Sequence, residues 1–83
     1  MSTRDDVLAV LDDILSLRGR AAGFTDETPL LGALPELDSM AVAGILASFE
    51  ERFGFVVEDD EIDAETFSTL GTLVSFVDAK LRA

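Results

Sequence analysis

Leu34-Pro35-Glu36-Leu37-Asp38-Ser39-Met40 is the junction between two kinds of sequence. Upstream, from Gly19 to Leu37, the residues Gly23, Pro29, Gly32 and Pro35 forbid a continuous helix, because glycine frees the backbone and proline removes a donor and blocks the preceding turn. Downstream, Ile45, Leu46, Phe49 and Phe53 recur at helical spacing until Gly54, a residue suited to end a helix. Asp38 stands between them with a short side chain that accepts from a helix's first free N–H groups. The junction therefore predicts a helix that opens with Ser39 in its first turn and closes at Gly54. The preceding connection carries Phe24, Leu30, Leu31, Leu34 and Leu37, which are expected to pin it onto the core. Connections of this length tend to be functional, which directs attention to its far end.

Before the junction, Ser2 or Thr3 caps a first helix with Asp5 and Asp6 in its positive first turn. Val7, Leu8, Val10, Leu11, Ile14, Leu15 and Leu17 extend the pattern, so this helix is expected from about Thr3 to Arg18, stopping near Gly19. After Gly54, Phe55-Val56-Val57 is β-prone but has no partner strand and reads as extended loop. Asp59, Asp60 and Glu61 open a short third helix around Ile62. Ser68 or Thr69 then caps a fourth, with Leu70, Leu73, Val74, Val77 and Leu81 as its apolar stripe. Phe49, Phe53, Phe67 and Phe76 read as core. The expected fold is all-α: a four-helix bundle of three long helices and a short third one, with a long loop between helices one and two, in a single domain over residues 1–83.

Composition narrows the function. Six basic against seventeen acidic residues leave a net charge of −11, and between Ala21 and Ala79 the only base is Arg52. A surface so poor in cations cannot neutralise phosphates, which argues against a nucleic-acid partner and favours basic protein surfaces. No apolar run approaches the roughly 20 residues that span a bilayer. The N-terminus lacks the basic and apolar blocks of a secretory leader, so a cytoplasmic location is expected. The chain has no Cys and no His, which removes the usual nucleophile, the near-neutral general base and the commonest zinc ligands. Catalysis by the bare chain is not expected. The acids Glu58, Asp59, Asp60, Glu61, Asp63 and Glu65 lack the alternate ligands and central glycine of an EF-hand loop, and read as a solvated face rather than a metal site.

An Asp-Ser-Met delivered by such a loop to the head of a second helix, the Phe49-Glu50-Glu51-Arg52-Phe53-Gly54 ending, the acidic third helix and the total length together resemble the acyl carrier protein family. The resemblance spans essentially the whole chain. Asp-Ser alone is an ordinary helix start, and it is the coincidence of features that carries the comparison. The resemblance implies a freestanding carrier, not an enzyme, with 4′-phosphopantetheine from coenzyme A attached to Ser39 and Asp38 helping to bind the divalent metal that accompanies coenzyme A in the synthase complex. It implies a phosphopantetheinyl transferase and acyl-loading ligases or synthases with basic docking surfaces as partners. The carrier itself is expected to be a monomer.

Partner recognition is expected on the second helix, through Met40, Ala43, Gly44 and Ala47, with Glu50 and Glu51 steering basic partners. Carriers of fatty acid synthesis typically place acids shortly after the serine, whereas Ala41 and Gly44 stand at the matching positions here. That departure points to a specialised fatty-acyl or polyketide-type pathway, with Ala41 and Gly44 as a bare patch for a dedicated partner. Two alternatives stand beside it. D-alanyl carriers also show Asp-Ser-Met, which admits aminoacyl cargo, and a non-carrier helical adaptor would use Ser39 only at a helix start.

Overall fold

The computed structural model describes residues 2–82 and, of Asp59, the backbone alone. Met1 and Ala83 lie outside the described residues, as does the Asp59 side chain of the acidic cluster. Among the described residues three α-helices carry the fold: α1 Thr3–Leu15, α2 Ser39–Phe53 and α3 Leu70–Arg82. Single 3-10 turns occupy Arg20–Gly23, Asp59–Glu61 and Ala64–Phe67. The all-α class is as expected, but the short third helix is two separate turns.

Ser2 caps α1, its hydroxyl accepting from the Asp5 N–H at 3.1 Å, and Val7, Val10, Leu11 and Leu15 are buried along one face. The helix ends at Leu15, one turn before the expected Arg18. Ser16 turns left-handed (φ 54°) and its N–H closes the last turn on the Asp12 carbonyl, with Leu15 and Leu17 on either side of it both buried. The Asp12 carboxylate secures the exit, accepting from the N–H groups of Gly19 at 2.9 Å and Ala21 at 3.4 Å.

The connection from α1 to α2 is held to the start of α3. Leu30 and Leu31 donate to the carbonyls of Ser68 and Phe67, each at 2.9 Å, while Leu70 and Gly71 donate back to Thr28 and Asp26 at 3.0 and 2.9 Å. This antiparallel contact, with an isolated bridge between Pro29 and Thr69, pairs two segments that neither read as a strand. Leu30 and Leu37 are buried and Phe24 and Leu34 pack against the core, as expected. Leu31 is not part of that anchor: its backbone is used in the contact and its side chain is 43% exposed.

Asp63 divides the expected third helix. Its carboxylate accepts from the Thr66 N–H at 3.1 Å, and its own N–H reaches the Thr66 hydroxyl, a capping box that restarts the chain after Ile62. A second reciprocal pair, Thr69 with Thr72, opens α3 and identifies Thr69 as its cap. Leu70, Leu73 and Val77 are buried and Val74 packs against them, but Leu81 falls outside the stripe at 43% exposure. Phe49 and Phe67 lie in the core with Phe53 and Phe76 packed against it. Among the described residues no buried side chain is polar or charged, and no helix is long and apolar enough to cross a membrane.

Candidate functional site

The site is built from the junction outward. Asp38 has extended backbone angles (φ −112°, ψ −176°), its Oδ1 accepts from the Ala41 N–H at 2.8 Å, and its carbonyl accepts from Val42 at 2.9 Å. This satisfies one of the free donors at the head of α2; the N–H groups of Ser39 and Met40, in the same turn, have no intrahelical acceptor. Ser39 is exposed at the first helical position, and Met40 beside it is 85% exposed. An exposed hydroxyl beside first-turn N–H groups at a positive helix end suits a phosphate ester.

Behind the serine the loop is fixed at two points. Leu37 is buried, and Glu36 receives the Arg20 guanidinium at 2.7 Å. That hydrogen bond is the largest of the causes that hold the Glu36 carboxyl below its ordinary 4.5. Neither Arg20 nor Glu36 stands out in the sequence. The one available signal was that Arg20 is the last base before a long acidic stretch.

Along α2 the candidate partner residues separate into two rows. Met40, Ala43 and Ala47 are exposed, and Leu46 and Glu50 beside them are half-buried. Ala43, Leu46, Ala47 and Glu50 line a cleft of about 380 Å³ closed on its other side by Val57, Glu58 and Ile62. Glu50 is drawn into structure, its Oε2 accepting from the Val57 N–H at 2.7 Å, whereas Glu51 is exposed. Gly44 is half-buried and belongs to a different row, where an added Cβ would meet Ile14 Cγ2 of α1 at 3.6 Å. The structure thus groups Met40, Ala43 and Ala47 and separates Gly44 from them.

The acidic segment after α2 is organised by its own contacts. Glu61 takes Lys80 of α3 at 2.8 and 3.0 Å and the Glu58 N–H at 2.8 Å, in that order the causes that lower its carboxyl from 4.5. Among the described residues no three potential ligands come together as a metal site.

A family model for the phosphopantetheine attachment site matches residues 5–77. The chain belongs to the acyl carrier protein family. It is 31% identical to an acyl carrier protein of Thermotoga maritima over 83 residues, covering 98% of this chain and 99% of that one. Its fold matches the solution structure of a holo acyl carrier protein from Nitrosomonas europaea with a TM-score of 0.91 and 47% identity, over the whole of both chains. The cofactor of this carrier is a covalently attached 4′-phosphopantetheine.

Proposed function

We propose that Ser39 is the attachment residue and that the chain, as a single freestanding carrier domain, presents acyl groups to partner enzymes in a specialised fatty-acyl or polyketide-type pathway. The observation that supports this reading most directly is the exposed serine at the first position of a capped helix, behind a pinned loop. In loading, Ser39 Oγ attacks the β-phosphate of coenzyme A. The new P–O bond replaces the pyrophosphate linkage, 3′,5′-adenosine bisphosphate leaves, and the hydroxyl proton passes to the transferase. Once attached, the arm supplies a terminal thiol on which acyl groups ride as thioesters. The chain's own contribution is to hold Oγ in solvent and to place the positive head of α2 beside the phosphodiester.

Asp38 has two tasks in this reading. One carboxylate oxygen caps α2, and the carboxylate helps to bind the divalent metal that accompanies coenzyme A on the transferase. Docking centres on Met40, Ala43 and Ala47, a small apolar strip free of charge, with Glu51 steering basic partners by long-range attraction. Acids are absent from α2 between Ser39 and Phe49, which favours a dedicated partner over the enzymes of general fatty acid synthesis. Location in the cytoplasm and a monomeric state complete the proposal.

Intact mass before and after incubation with coenzyme A, magnesium and a broad-specificity phosphopantetheinyl transferase tests the assignment. A gain of one phosphopantetheine, lost in Ser39→Ala with the fold retained, is the expected result. No gain while a control carrier is modified would return the chain to the adaptor reading. Mass spectrometry of the loaded native protein then separates acyl from aminoacyl cargo.

A further inference from the structure

Arg20 lies in the 3-10 turn after α1 and is held there before it reaches anything else. Its Nε donates to the Leu17 carbonyl at 3.1 Å, and the N–H groups on either side of it, Gly19 and Ala21, donate to the Asp12 carboxylate. From this anchored base Nη2 reaches Glu36 Oε2 at 2.7 Å. Glu36 is three residues before Ser39, and its carbonyl accepts from the Asp38 N–H at 3.2 Å. Its other carboxylate oxygen, Oε1, is shut off from solvent without a protein donor, so Arg20 is the side-chain partner of this carboxylate. An unbroken run of contacts therefore leads from α1 through Arg20 and Glu36 to the residue that caps α2.

Exposed ion pairs contribute little to global stability, because water screens the charges and two long side chains must be ordered. What this pair offers is geometry at one point of a loop. The same connection carries a second exposed pair at its other end, where Arg4 binds the Asp26 carboxylate and the Phe24 carbonyl. The two pairs are alike in chemistry and differ in where they act: one grips the loop far from the junction in sequence, the other grips it two residues before the cap.

We propose that Arg20 and Glu36 are a positioning pair that sets the approach of the loop to Asp38 and thereby the presentation of Ser39 to the transferase. The proposal rests on the assignment of Ser39 as the attachment residue. It predicts an effect on the transfer step itself, because a reacting hydroxyl displaced by a fraction of an ångström to an ångström loses rate steeply while the docking surface along α2 is untouched.

The test is steady-state loading of the full chain by a phosphopantetheinyl transferase with coenzyme A and magnesium, with kcat and KM determined for each variant and melting temperatures recorded alongside. Arg20→Ala and Glu36→Ala are expected to lose roughly tenfold in kcat with KM within about twofold of the starting value. The exchange of both residues, Arg20→Glu with Glu36→Arg, restores the ion pair without the bond to the Leu17 carbonyl and is expected to recover part of the loss. Arg4→Ala, which removes the distal pair, is expected to load like the unaltered chain. Unchanged kcat in both single variants would overturn the proposal, and so would an equal loss in Arg4→Ala, which would mean that any loosening of the loop suffices. A loss confined to KM, or an exchange no better than the single variants, would place Arg20 in direct contact with the transferase and overturn the positioning role. If the unaltered chain gains no phosphopantetheine, the Ser39 assignment fails and this proposal with it; if it loads and the variants load equally well, the positioning pair alone fails.

Discussion

Asp38 and Ser39 do different work and can be separated by substitution. Asp38 holds the Ala41 N–H through Oδ1, and removing that acceptor with Asp38→Ala should cost about 1 kcal/mol in urea denaturation. Asp38→Asn keeps an acceptor and should preserve most of that stability. If the carboxylate also helps to bind the metal, Asp38→Asn should still load more slowly than the unaltered chain, and equal loading rates would confine Asp38 to capping. Ser39→Ala removes an exposed hydroxyl and should shift stability by less than about 0.5 kcal/mol while abolishing loading.

Two glycines in helices show how packing between elements, rather than propensity, decides the outcome of a substitution. A Cβ at Gly71 would stand 2.9 Å from the Asp26 carbonyl oxygen and 3.2 Å from Asp26 Cβ, at the point where the α1–α2 connection is bonded to the head of α3. Gly71→Ala should therefore destabilise by roughly 1–3 kcal/mol and speed amide exchange at Leu30, Leu31 and Leu70, since the obstructing atom is backbone. A Cβ at Gly44 would meet Ile14 Cγ2 at 3.6 Å, an ordinary contact, with no left-handed backbone to strain. Gly44→Ala should stabilise α2 by up to about 1 kcal/mol. Equilibrium denaturation of the two variants side by side is a direct check, and the opposite ordering would contradict the packing described here.

Across the molecule, seventeen acids against six bases make self-repulsion a standing cost of the folded state. Raising salt from about 0.01 to 0.15 M shortens the Debye length from roughly 30 to 8 Å and should raise the melting temperature at neutral pH. Two acids respond to pH in their own way. Glu36 is lowered chiefly by its hydrogen bond to Arg20 and Glu61 chiefly by that to Lys80, both from 4.5. Because the folded values are depressed, the stability these groups contribute is present above pH 4.5 and lost as pH falls through the lower folded values. Carboxyl-detected NMR titration should give midpoints below 4.5 for both acids, with Glu61 returning toward 4.5 in Lys80→Ala and Glu36 in Arg20→Ala.

Much of the carrier was legible without coordinates because its signals are local. A cap is a property of one side chain and the next three N–H groups, and an apolar stripe needs only its own helix. Asp38, the span of α2, the start of α1 and the core phenylalanines were therefore readable directly, as was the exposed first-turn position of Ser39. What tertiary structure decided depends on residues distant in sequence. The early, left-handed end of α1 goes with an Asp12 carboxylate that accepts from the N–H groups of Gly19 and Ala21, seven and nine residues further on. The contact between residues 26–31 and 67–71 joins two segments without strand character, and the row to which Gly44 belongs is set by Ile14 of another helix. Arg20 and Glu36 look like solvated charges in the chain and become partners only when the loop folds back. Local preference depends on neighbours along the chain and can be read from them, whereas a contact between segments depends on how several elements pack at once.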